Sequence, residues 1–185
     1  MFRFFAQAAV LVTAGLALGG CPMEQPKTAA PVKKPPAADY QEPLGQVAKP
    51  ANLSAICYNS ADLAIVRARM MQQEMSVATL QCQNAGGGRA LQGAYEAFIS
   101  KFGGELATNA RSLQQVAGRK RFNVDVLVTE FANRTAQKAP VDREFCTRSQ
   151  RTLEWALSPQ VTTLAQVPPP YDLGPDMNIH GCNAP

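Results

Sequence analysis

Proline placement constrains this chain more than any other feature. Seven prolines fall between Pro22 and Pro50, among Lys, Ala, Gln and Glu, with hardly any large apolar residue. Such a stretch cannot bury enough surface to offset its ordering entropy. Proline biases it toward an extended form of about 3.1 Å per residue, so some thirty residues would reach up to roughly 90 Å. A disordered linker is therefore expected there, an inert spacer whose Lys33-Lys34-Pro35-Pro36 could at most touch an anionic surface. Later prolines fall where elements should begin or end: Pro140 suits a helix's first turn, Pro159 stops a helix, and Pro168-Pro169-Pro170 opens a turn-rich end. The chain has 185 residues, 46% of them hydrophobic and 17% charged, which is enough for one packed domain with appendages.

Four amphipathic helices are predicted in the remaining stretch. Asn59 or Ser60 can cap the first, with Asp62 in its first turn. Its stripe is Ala64, Ala68, Met71, Met75, Ala78 and Cys82, widened by Leu63, Met70 and Val77. Methionine at this spacing reads as core filling rather than a copper or cofactor site. Asn84-Ala85-Gly86-Gly87-Gly88 ends the helix. The second is expected from near Arg89 to about Gly118, on a stripe of Leu91, Tyr95, Phe98, Phe102, Leu106, Ala110, Leu113 and Ala117, continuous through Gly103-Gly104. A third spans Arg121 to Lys138 on Val124, Leu127, Val128, Phe131 and Thr135. The fourth begins around Pro140 and runs to about Leu157 on Phe145, Ser149, Leu153 and Ala156. The expected fold class is all-α, a four-helix bundle-like domain preceded by a signal peptide and a Pro-rich disordered linker.

The amino terminus reads as an address. Met1-Phe2-Arg3 supplies a short positive start, and Phe4 to Leu18 is apolar apart from Gln7 and Thr13. At about fifteen residues it falls short of the roughly twenty that span a bilayer. Leu18-Gly19-Gly20-Cys21 then resembles the lipobox of bacterial lipoproteins, although Gly19 is a less usual choice at its position. The resemblance implies diacylglyceryl transfer to the Cys21 sulfur, cleavage before it and usually a further acylation of the new amino terminus. Pro22 discourages cleavage by the ordinary signal peptidase just after Cys21. Two or three acyl chains, at about 0.8 kcal/mol per buried methylene, make attachment effectively permanent. The expected division is 1–20 signal peptide, 21–56 lipidated Cys21 and tether, 57–158 helical domain, and 159–185 a tail tied by a disulfide.

Four cysteines remain: Cys57, Cys82, Cys146 and Cys182. An even count in an exported chain favours two disulfides, for which the sequence allows three pairings. Cys82 ends the first helix on its apolar face and Cys146 opens the fourth on or beside its own. Cys57 precedes the first helix and Cys182 lies in the tail. The preferred pairing is Cys82 with Cys146 inside the bundle and Cys57 with Cys182 closing the domain's ends. The chain has neither a C-x-x-C for redox exchange nor a clustered Cys/His set for zinc. His180, the single histidine, stands two residues before Cys182 but gains no role if that cysteine is bridged. No metal and no cofactor are therefore expected.

The run Met71-Gln72-Gln73-Glu74-Met75-Ser76-Val77-Ala78-Thr79-Leu80-Gln81-Cys82, with Tyr95-Glu96-Ala97-Phe98-Ile99-Ser100-Lys101-Phe102 and Phe145-Cys146, is similar to a group of exported alphaproteobacterial proteins without assigned function. The likeness spans roughly Arg67 to Cys146 and brings no catalytic residues with it.

The formal charge of +4 is spread out, and the densest basic run, Arg119-Lys120-Arg121, reads as a solvated helix end or turn, so a nucleic-acid partner is not expected. Glu74, Glu96, Glu105, Asp125, Glu130 and Glu154 read as solvated or ion-paired helix residues, with Glu74 near the edge of the first helix's apolar face. The expected function is that of a non-catalytic, lipid-anchored envelope module facing the periplasm and meeting an envelope protein partner. The alternative is a helical module holding a small apolar ligand or lipid between its helices.

Overall fold

The computed structural model describes Pro35 and residues 56–182. The expected signal peptide, Cys21 and nearly all of the Pro-rich tether lie outside the described residues. The first ordered element is a short strand, β1 (Ile56–Tyr58), and α1 (Ser60–Gln81) follows at once. Asn59 is its cap: the side-chain oxygen accepts the Asp62 N–H at 2.8 Å. Asp62 is itself buried and pairs with Arg119 at 2.6 Å, which ties the start of α1 to the far end of α2 (Gln92–Lys120).

α1 touches each of the other helices, and this explains why its apolar stripe is so wide. Val66, Met70, Met71, Met75, Val77 and Ala78 are all buried. Ala64, however, is exposed and Ala68 half-buried, so the stripe expected from spacing is rotated at its first two turns. Cys82 caps the helix, and the chain reverses through Asn84 to Gly88, with Gly87 at φ 79°, a left-handed conformation that favours glycine. This turn occupies the residues up to Leu91, so α2 begins three residues later than Arg89.

α2 passes unbroken through Gly103-Gly104. Phe98, Phe102, Leu106, Leu113, Val116 and Ala117 face the core, while Ala110 is exposed and Asn109 takes the buried position beside it, donating to the Ile65 carbonyl at 2.8 Å. Arg121 ends α2 in the left-handed region at φ 58° and therefore cannot open the next helix. Asn123 caps α3 (Val124–Lys138) through the N–H groups of Asp125 and Val126. Turns occupy the stretch around Pro140, and α4 (Phe145–Leu157) starts five residues after that proline.

The chain is mostly helical, yet it departs from all-α. After α4 it makes a 3₁₀ turn (Leu164–Gln166), a second one (Pro175–Met177), and then β2 (Ile179–Gly181), which pairs in parallel with β1. The register sets Ile56 against Ile179, Cys57 against His180 and Tyr58 against Gly181. Strands of three residues are too short for alternation to reveal. The final stretch is also more than a tied tail. Val161, Leu164, Val167, Tyr171, Leu173, Met177 and Ile179 are buried and belong to the one hydrophobic core.

Candidate functional site

Residues 161–177 cross the helices as an irregular strap, and the most unusual chemistry of the domain lies beneath it. Glu74, on the middle of α1, is 1% exposed. One carboxyl oxygen, Oε2, accepts the Tyr171 backbone N–H at 3.3 Å, and Oε1 has no hydrogen-bond partner. Burial pushes this carboxyl well above the usual carboxylate range, and nearby Asp172 pushes the same way. The Tyr171 N–H and Lys138 pull it down by less. Glu74 is thus a buried carboxyl whose neutral form its surroundings favour, unlike the solvated or ion-paired residue its sequence position suggested.

Tyr171 is gripped at its other end. Its hydroxyl donates to Asp142 Oδ2 at 2.6 Å, and the same oxygen accepts from Arg148 Nε at 3.3 Å. Asp142 Oδ1 accepts the Glu144 N–H at 2.8 Å. Burial alone would raise the Asp142 carboxyl, but the hydrogen bonds from Tyr171 and Glu144 and the Arg148 charge outweigh it and hold the group below its ordinary value. Tyr171, by burial and by its bond to Asp142, is pushed far above the usual phenol range. Its ring stacks on Phe145 with centroids 5.9 Å apart, and the Arg148 guanidinium lies 5.4 Å from its centre. Farther along the strap Asp176 meets the buried Lys138 at 3.5 Å.

The strap also builds a wall of a groove of about 530 Å³. Ala64 and Ala68 of α1 form its floor, and Leu164, Val167, Pro168 and Pro169 its side. Arg67 and Asp172 stand at its edge, 3.7 Å apart. A second hollow of about 360 Å³ shares Ala64, Ala68, Leu164 and Ala165 and reaches α2 at Gly104 and Asn109. The two alanines expected in the core instead leave room beside it, because a methyl group is too short to reach the strap.

The other residues marked in the sequence are dispersed. Glu105 accepts the Leu164 N–H at 3.0 Å, Glu130 pairs with Arg134, Glu154 with Gln150 and Glu96 with Gln92, while Asp125 sits in the first turn of α3. Within the basic run, Arg119 pairs with Asp62, Lys120 donates to the Cys57 carbonyl and Arg121 forms the turn. Disulfides join Cys57 to Cys182 and Cys82 to Cys146. Cys82 is buried but Cys146 is exposed, so that bridge lies at the edge of the helices and not inside them. His180 is exposed on β2, and the described residues contain no group of three or more His, Cys, Asp or Glu able to hold a metal.

The Tyr171–Asp142–Arg148 set escaped sequence reasoning because its members lie on three segments of different conformation. Only Glu74 gave a signal, through its place beside the apolar stripe. Searches of protein-family models, of curated proteins and of solved structures find no match to this chain, so the site rests on its own geometry.

Proposed function

We propose that this chain is a lipoprotein of the bacterial cell envelope, held by acyl groups on Cys21 and presenting its helical domain on the Pro-rich arm as a non-catalytic interaction module. The observation that carries this reading is the sorting of the sulfurs. Of five cysteines, four are joined in two disulfides, and the one left over is Cys21, the cysteine of the Leu18-Gly19-Gly20-Cys21 lipobox. Paired thiols fit an oxidising compartment such as the periplasm. No described helix is long and apolar enough to cross a membrane, and the attachment proposed here runs through lipid alone. Growth with radiolabelled palmitate should label the wild-type protein and leave Cys21→Ala unlabelled and released from the membrane fraction. A Cys21→Ala chain that stays membrane-bound, or a wild type that takes up no label, refutes the anchor.

The joined hollows on α1 favour a second reading, in which the domain holds an apolar ligand. Their combined floor of alanines, bordered by Leu164, Val167 and two prolines, offers an open apolar slot with an ion pair at its edge.

A further inference from the structure

We propose that residues 168–177 are a pH-dependent strap: with Glu74 protonated they are latched onto α1 through Tyr171, and when Glu74 ionises the latch releases. The inference stands on the placement of the carboxyl and is independent of what the groove holds.

Three geometric facts support it. The Glu74 carboxyl is wholly enclosed, and its one hydrogen bond comes from the backbone of the strap itself. Its second oxygen faces no donor, which a neutral acid tolerates far better than a carboxylate does. The strap, finally, is the layer that can yield. It has no ladder or helix of its own beyond one 3₁₀ turn, the 3₁₀ turn Leu164–Gln166 precedes it, and β2 with the Cys57–Cys182 bridge follows it and keeps it from leaving. Tyr171, Leu173 and Met177 of the strap are buried in the core, so release of the latch exposes them together with Glu74.

The charged and titratable groups around the latch set the direction. Asp172, from the strap, opposes ionisation of Glu74, and Lys138, from α3, favours it. Lys138 also faces Asp176 of the strap. Asp142 and, from α4, Arg148 act on the Tyr171 hydroxyl and hold the strap's other side. Because burial wins at Glu74, its folded carboxyl binds the proton more tightly than it does when the strap is open. The latch is therefore complete below the ordinary carboxylate range and is lost as pH rises through the raised value. The proton lost goes to solvent.

Hydrogen exchange of the full chain, measured from pH 5 to pH 9, tests this. Rates of the 171–177 segment are corrected for intrinsic exchange and compared with those of α2 at each pH. One proton linked to opening makes the strap open about tenfold more per pH unit between the ordinary carboxylate range and the raised value, and the rise levels off beyond it. Wild-type protein should show that slope in the strap while α2 stays protected, and Glu74→Gln should show none. Infrared difference spectra of the wild type give a second readout that needs no variant: a protonated-carboxyl band should vanish over the same pH interval. A flat wild-type profile, a Glu74→Gln chain with the wild-type slope, or a carboxyl band that disappears without any change in strap exchange would each overturn the proposal.

Discussion

Breaking the bridge between Cys57 and Cys182 should lower stability by an amount that follows from chain connectivity. The two cysteines are 125 residues apart in sequence, but the Cys82–Cys146 bridge shortens the path between them. With that inner bridge intact, the path runs from Cys57 to Cys82, across the sulfurs, and from Cys146 to Cys182, about 60 residues in all, for which loop-closure entropy is worth roughly 4 kcal/mol. Counting the full sequence separation would overstate it. Both cysteines are exposed, so serine at each adds no buried hydroxyl, whereas the buried Cys82 would confuse the comparison.

In a domain of this size each kcal/mol moves the midpoint by about 4 °C, so Cys57→Ser/Cys182→Ser should melt roughly 15 °C below the wild type in circular dichroism scans. The β1–β2 pairing and the Cys182 N–H bond to the Tyr58 carbonyl at 2.9 Å should persist in the folded variant. Its spectrum at 20 °C should therefore match the wild type. A midpoint shift of less than about 5 °C would refute the reasoning, because it would mean that the bridge restrains little of the unfolded chain.

Asp142→Asn should cost roughly 2 to 3 kcal/mol at pH 7, since it weakens charge-assisted bonds from Tyr171 and Arg148. The Asp142 carboxyl is held low in the folded chain, so its contribution is present above the ordinary carboxylate value and fades as pH falls. In urea titrations the gap between variant and wild type should close toward pH 3, and an equal gap at both pH values would contradict the assignment. For the groove, native mass spectrometry of gently purified protein should show a bound apolar molecule that Ala64→Trp eliminates. Ala64 is exposed, so that change should leave the melting point nearly unmoved. A mass matching the bare chain in both proteins would remove the second reading.

Much of the helical frame was legible because its signals are local. Asn59 caps α1, Gly87 supplies a left-handed turn, and the stripes of α2 and α3 recur at helical spacing. What stayed hidden depends on contacts distant in sequence. Arg121 sits at positive φ, a conformation that sequence reading reserves for Gly or Asn, so α3 was expected three residues early. The strap has apolar residues with no single period, and three consecutive prolines read as the start of a turn-rich tail, yet Pro170 and Tyr171 are buried. Glu74 shows the same limit at one residue: helical spacing placed it beside the core, and only a segment almost a hundred positions later covers it.

That covering is what makes Glu74 informative. A carboxyl taken from water loses its hydration and regains here a single backbone hydrogen bond, which leaves one oxygen unsatisfied. A leucine or methionine of similar volume would close the same core without that penalty, as replacement of buried ionisable groups by apolar ones often does. Three methionines and a leucine of the core, Met70, Met71, Met75 and Leu153, already solve the packing problem in that way. Asp142 differs, because its oxygens are occupied by a phenol, a guanidinium and a backbone N–H, so it strengthens the strap it touches. The two carboxyls therefore act on Tyr171 with opposite dependence on pH. Asp142 holds it above the ordinary carboxylate range, and Glu74, in the proposed latch, holds it until rising pH removes its proton. Between those limits Tyr171 is held at both its backbone and its hydroxyl, a window that an aliphatic side chain at position 74 would not provide.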